Sequence, residues 1–142
     1  MSRNLSVVIA CGGTGGHLFP GIAVAEELQR RGHDPLLLIS QKKVDADASA
    51  KYGSLNFRTV TAIAKPPTHS PRMLPFLWKL WRTVRESRRI LKAHRAEVVL
   101  GMGGFTSLPP IYAGKRMGLL TAVHDSNALP GKSNRLGARW CR

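Results

Sequence analysis

Short apolar runs recur along the chain, separated by stretches whose apolar positions return every three or four residues. Leu5 to Ala10, Pro35 to Ser40, Asn56 to Ala62, Glu97 to Leu100 and Leu119 to His124 predict five strands. Helical patterns fill the gaps. Gly21 to Arg31 opens behind Pro20, carries Ile22, Ala25, Leu28 and Gln29 near one face, and is closed by Gly32. Lys42 to Tyr52 fits a short helix, and Leu74 to His94 a long one after the loop of Lys65-Pro66-Pro67 and Ser70-Pro71. Phe105 to Met117 predicts another helix, with Pro109 and Pro110 tolerable only near its first turn, and Lys132 to Trp140 a last one. Strands joined through helices imply a Rossmann-like α/β fold. Its open, doubly wound parallel sheet would have helices on both faces and ligands at the carboxyl ends of the strands.

Two of those carboxyl ends run into glycine. The first strand is followed by Cys11-Gly12-Gly13-Thr14-Gly15-Gly16-His17-Leu18-Phe19-Pro20, and the fourth by Gly101-Met102-Gly103-Gly104. Bare backbone N–H groups at a helix N-terminus suit a phosphate or another anion, and the first loop holds more glycine than helix–strand packing needs. It is not a dinucleotide fingerprint, because Gly16-His17-Leu18 follows Gly13-Thr14-Gly15 and no acidic residue closes strand two at Ser40-Gln41. Nor is it a Walker A loop; Gly131-Lys132-Ser133 has that ending, but Ser126 stands where the leading glycine belongs. His17 beside this loop is a candidate general base or ligand-positioning group, set against a plain helix-start histidine bonded to nearby backbone. His124-Asp125-Ser126-Asn127 places four hydrogen-bonding side chains at the exit of strand five, suited to a sugar or phosphate. No nucleophile elbow surrounds Ser126.

Charge narrows the partner. Twenty-two Lys and Arg against 8 Asp and Glu give a formal +14 over 142 residues, about one domain's length, and call for an anionic partner. Nucleic acid is disfavoured, since no RRM, KH, zinc-finger or helix-turn-helix signature accompanies the charge. No run approaches the roughly 18 apolar residues of a membrane span. Met1-Ser2-Arg3-Asn4 does not begin a signal peptide, so a cytoplasmic location is expected. Cys11 and Cys141 lack metal-ligand spacing and are expected to be free thiols, and no metal site is predicted. In the long helix Met73, Leu77, Leu80, Val84 and Leu91 follow core spacing. That stripe leaves Phe76, Trp78 and Trp81 beside Lys79, Arg82, Arg85, Arg88, Arg89 and Lys92, a composition suited to an anionic membrane interface.

Three segments in order, Gly12 to Ala25, Val98 to Ser107, and His124-Asp125-Ser126-Asn127 with Pro130-Gly131 and Asn134-Arg135-Leu136, resemble the MurG family of bacterial glycosyltransferases (glycosyltransferase family 28). The resemblance implies that residues 1–142 are the amino-terminal, acceptor- and membrane-binding half of a GT-B fold, with the carboxyl-terminal donor-binding domain lying outside this chain. The implied reaction is inverting transfer of N-acetylglucosamine from UDP-N-acetylglucosamine to lipid I, forming lipid II, with no protein-bound cofactor or metal required. By matching position Thr14, Gly15, Gly16 and Asn127 would face the donor. Gly13, Gly103 and Gly104 would cradle the acceptor diphosphate, and His17 would be the base. Phe76, Trp78, Lys79, Trp81, Arg82 and Arg85 would form the membrane patch of a peripheral protein on the cytoplasmic face of the inner membrane.

The chain departs from the family in having His124-Asp125-Ser126-Asn127 for the usual His-Glu-Gln-Asn, and Ala62 to Pro67 where the family loop is often Gly-rich and basic. The chain alone is expected to be inactive. The alternative is a non-catalytic membrane-recruitment subunit of a two-subunit lipid-sugar transferase.

Overall fold

A computed structural model describes residues 3–142; the first two positions of the N-terminal segment considered above, Met1 and Ser2, lie outside the described residues. Five strands, β1 (Ser6–Ala10), β2 (Asp34–Ile39), β3 (Asn56–Thr59), β4 (Val98–Gly101) and β5 (Leu120–Val123), form one parallel sheet in the order β3-β2-β1-β4-β5. Five α-helices connect or follow them: α1 (Gly15–Arg30), α2 (Lys43–Lys51), α3 (Met73–Ala93), α4 (Leu108–Arg116) and α5 (Lys132–Ala138). The inner strands β1, β2 and β4 are apolar on both faces because helices cover both, whereas the edge strand β3 is polar and largely exposed. Val7, Ile9, Leu37 and Ile39 pack with Leu18, Ile22 and Ala25 of α1 and Ala48 of α2. The alternate residues Val8, Ala10, Leu36, Leu38 and Val99 pack with Leu91 of α3 and Ile111 and Ala113 of α4. The chain reverses its direction of growth between β1 and β4, and at such a switch point the loops part to leave a crevice.

The elements differ from the sequence pattern at several points. Helix α1 starts at Gly15, so Pro20 sits inside it rather than opening it. The Thr14 carbonyl accepts from the N–H groups of His17 and Leu18 at 3.1 and 3.0 Å, closing the first turn ahead of the proline. β3 ends at Thr59 rather than Ala62; Val60 still donates to the Ile39 carbonyl at 2.8 Å, after which this edge strand leaves the sheet. The buried stripe of α3 is Phe76, Thr83, Ser87 and Leu91, whereas Leu77, expected in the core, is 50% exposed. A single 3-10 turn over Phe105–Ser107 precedes α4, which leaves Pro109 and Pro110 in the first helical turn, where their missing N–H groups are tolerated.

Candidate functional site

The glycine turns after β1 and β4 meet at the crevice, and the ring of His17 lies between them. Gly103 has φ +118°, and a Cβ built on it would stand 2.7 Å from His17 Cε1 and 2.8 Å from Nδ1. At Gly104, φ +77°, the same atom would lie 3.3 Å from Nε2. Only glycine combines that backbone with that approach. Nδ1 is shut away from solvent without a hydrogen-bond partner, which leaves Nε2 on the open side of the ring. The loops are also tied directly, since the Thr106 hydroxyl donates to the Gly12 carbonyl at 2.8 Å.

The rest of the first loop is braced from α2. Asp45 is fully buried, and its Oδ2 accepts from Gly13 N at 3.0 Å, Ser40 N at 2.7 Å and the Ser40 hydroxyl. Lys42 Nζ donates to the Gly13 carbonyl at 2.9 Å. Both polar groups of Gly13 are therefore occupied, and this residue, expected to bind the acceptor diphosphate, offers the crevice shape rather than an amide. Thr14 caps α1 in an extended conformation without a side-chain hydrogen bond to its own helix, and the first turn holds no acidic residue. The amides of Gly15 and Gly16 have no main-chain partner among the described residues. They and the helix dipole present positive potential to the crevice.

The loop after β5 is organised by Asp125. Its Oδ1 accepts from Asn127 N at 2.9 Å and Asn127 Nδ2 at 3.1 Å, and its Oδ2 from Gly131 N at 3.1 Å and Asn134 Nδ2 at 2.9 Å. These donors, the Asn127 amide first and then the Asn134 side chain, pull the carboxyl down to about 2 from an ordinary 3.8. Asn127 itself is exposed, and its Nδ2 donates to Asp125, which leaves its side-chain oxygen as the acceptor it can offer a ligand. The thiol of Cys11, one turn of chain before Gly13, is pushed up to about 12 by burial and by the Asp45 carboxylate beside it, which fits packing rather than nucleophilic chemistry.

On α3, Trp78 and Trp81 are 56% and 53% exposed, with the Arg82 guanidinium 4.8 Å from the Trp78 ring centre and Arg85 4.7 Å from that of Trp81. They line a groove of about 570 Å³ with Lys79 and Arg89. Phe76 is a correction to the expected patch: it is buried against Phe105, ring centres 5.7 Å apart, and belongs to the core. Leu74 and Leu77 take its place on the exposed face. No helix among the described residues is long and apolar enough to cross a membrane.

The sequence pattern located His17, the glycines and Asn127, and included Asn134 in a resembling segment without giving it a role, but missed Asp45 and Lys42. Of these two, the buried Asp45 carried a signal, an acidic residue on the inner face of a short helix beside the glycine loop.

The chain is similar to known proteins in sequence and in fold. The family description "Glycosyltransferase family 28 N-terminal domain" matches residues 7–142. The chain is 38% identical over 136 residues to the UDP-N-acetylglucosamine--N-acetylmuramyl-(pentapeptide) pyrophosphoryl-undecaprenol N-acetylglucosamine transferase of Neisseria meningitidis serogroup C, covering 95% of this chain and 38% of that protein. It is 40% identical over 137 residues to the protein of that name from Deinococcus deserti, covering 96% and 36%. The chain thus spans a little over a third of the length of these curated relatives. In fold it is similar to the crystal structure of Acinetobacter baumannii MurG, with a TM-score of 0.82 at 24% identity over 96% of this chain and 39% of that one. Glycine turns, sheet order and these matches agree, and the chain belongs to the glycosyltransferase family 28 N-terminal domain family.

Proposed function

We propose that this chain forms one wall of the cleft in which N-acetylglucosamine passes from UDP-N-acetylglucosamine to lipid I, giving lipid II. The observation that carries the reading is the His17 ring, held against Gly103 and Gly104 at the switch point with Nδ1, and not Nε2, shut away from solvent. In this reading Nε2 takes the proton from the acceptor hydroxyl as its oxygen attacks the anomeric carbon from the face opposite UDP. The bond from that carbon to the diphosphate oxygen breaks, its electron pair leaves on UDP, and the configuration inverts. The amides of Gly15 and Gly16 and the α1 dipole meet the charge gathering on the diphosphate, with no protein-bound metal or cofactor required. Thr14 and Asn127 face the donor sugar, and the Gly103-Gly104 turn cradles the acceptor diphosphate.

The acceptor is a lipid, which gives the aromatic and cationic face of α3 a purpose. Trp78 and Trp81 would enter the interface while Lys79, Arg82, Arg85, Arg88 and Arg89 meet anionic headgroups, a peripheral association with the cytoplasmic face of the inner membrane. A carboxyl-terminal domain would supply the opposite, donor-binding wall, and the chain alone is expected to accumulate no product.

The test is His17→Ala and His17→Gln in a full-length transferase carrying this domain, assayed with a lipid I analogue. Loss of a general base predicts turnover lower by roughly 10²- to 10⁴-fold. Undiminished turnover would remove His17 from that role.

A further inference from the structure

Lys42 follows the exit of β2, directly before α2, and its backbone is fixed there. Its N–H donates to the Ser40 hydroxyl at 3.3 Å, and its carbonyl accepts from Asp45 N and Ala46 N, both at 3.1 Å. From that position the side chain crosses to the first glycine loop, where Nζ donates to the Gly13 carbonyl at 2.9 Å. Local stability does not ask for a lysine here. Lys42 is the N-cap of α2, where Ser, Thr, Asp or Asn would bond the first amides and where a cation opposes the helix dipole, and it makes no side-chain cap bond. Ordering its long stem also offsets most of the gain from one exposed hydrogen bond to a neutral carbonyl. What the contact with Gly13 does accomplish is to hold a charge at the loop.

Among the described residues that charge has no counter-ion. Lys42 makes no ion pair, whereas its neighbour Lys43 is bound to Asp47 at 2.7 Å. Asp45 is not its partner, since Oδ2 is taken by Gly13 N, Ser40 N and the Ser40 hydroxyl. A lysine ammonium has three N–H donors, and the Gly13 carbonyl uses one. Gly13 precedes Gly15 by two residues, at most about 7 Å of extended chain, so the ammonium shares a short loop with the free amides of Gly15 and Gly16 and the positive end of α1. We infer that Lys42 is a further diphosphate-binding residue of the crevice, whose remaining N–H groups meet the phosphate oxygens that the Gly15 and Gly16 amides receive. This rests on the reading of the crevice as a place where a diphosphate binds. Both substrates of the proposed reaction carry one, and the chemistry that Lys42 recognises is common to them.

The experiment titrates inorganic pyrophosphate into the 142-residue chain and follows the amide resonances of Gly15 and Gly16 by NMR. They should move in the unaltered chain, and Lys42→Met should weaken the apparent affinity about tenfold, as the loss of one charged hydrogen bond does. Lys43→Met removes the same charge one residue away and should change the affinity by less than about twofold. Lys42→Arg keeps the charge and should retain most of the affinity. Equal weakening by Lys42→Met and Lys43→Met would reduce the effect to net charge and overturn the inference. So would a Lys42→Arg chain that binds no better than Lys42→Met, which would make the residue a tie on the loop and nothing more. No shift at Gly15 and Gly16 in the unaltered chain would overturn the diphosphate reading itself, so the two failures are separable. In a full-length transferase carrying this domain, Lys42→Met should raise KM for UDP-N-acetylglucosamine if the donor supplies the diphosphate, and KM for a lipid I analogue if the acceptor does. Both KM values unchanged would overturn the assignment.

Discussion

Replacing Gly103 by alanine should separate the two demands that the crevice makes on this position. The first is backbone strain, because φ is +118°. The second is collision, because the new Cβ would stand 2.7 Å from Cε1 of His17. Gly32, at φ +83° with nothing within 4 Å of its Cβ, supplies the control in which only the first demand operates. Strain alone should cost about 1–2 kcal/mol. Forcing the ring off its seat should cost about 1–3 kcal/mol more, as overpacking of a closely fitted site does. Gly104→Ala, with its closest ring contact at 3.2 Å, should fall between the two. For a domain of this size about 1 kcal/mol corresponds to about 3–5 °C in Tm. Thermal denaturation followed by circular dichroism should therefore rank the variants Gly32→Ala, Gly104→Ala, Gly103→Ala in order of increasing loss, with His17 ring resonances displaced only in the last two. Equal melting temperatures for Gly32→Ala and Gly103→Ala, with unmoved His17 signals, would refute the claim that the ring is held against this turn.

Three further outcomes follow from other parts of the molecule. Phe76→Ala should destabilise the fold by about 3 kcal/mol, because the ring is core, while Trp78→Ala and Trp81→Ala should leave Tm nearly unchanged and weaken sedimentation with anionic vesicles. The reverse pattern would show that the wrong aromatic has been placed at the interface. Asp45→Ala strands the N–H groups of Gly13 and Ser40 and the Ser40 hydroxyl, and urea denaturation should register a loss of about 2–4 kcal/mol; a loss below about 0.5 kcal/mol would mean the loop is held by something else. The Asp125 carboxyl is depressed to about 2 from 3.8, so its contribution is fully present above about pH 4 and is lost as pH falls toward 2. The Asn127 amide resonance should titrate with a midpoint near 2, and a midpoint near 4 would show that the loop is not organised around that carboxylate.

The inner strands were legible in the sequence because a sheet covered on both faces makes each of them a nearly continuous apolar run, and the glycine turns because few other residues adopt their conformations. The bracing of the site was not legible. Asp45 meets Gly13 across 32 positions and Asn134 meets His124 across ten, and neither separation follows a helical or strand period. These contacts exist only once the sheet order has brought the exits of β1, β2, β4 and β5 to one edge.

Helix α3 shows a different obstacle, one rooted in packing. Apolar spacing selects Met73, Leu77, Leu80, Val84 and Leu91 as its inner face, but the helix buries Phe76, Thr83, Ser87 and Leu91. Helix α3 packs against α4, and two of its four buried positions, Thr83 and Ser87, are small and polar. Thr83 is tolerated there because its hydroxyl donates to the Lys79 carbonyl at 2.9 Å within its own helix, so the buried oxygen is not left unsatisfied. A stripe defined by hydrophobicity therefore lies about one residue's rotation from the buried one, sharing Leu91 and keeping Val84 against the core but putting Leu77 outside. That rotation has a consequence for function: it draws Phe76 inward and turns Leu77, Trp78 and Trp81 outward together. The guanidiniums of Arg82 and Arg85 lie over the two indole rings, so each cation stays beside the exposed apolar surface, as the proposed membrane contact requires. Small polar residues on the inner side of α3 and large apolar ones outside are two sides of one arrangement, which leaves Trp78, Trp81 and their arginines on the exposed face.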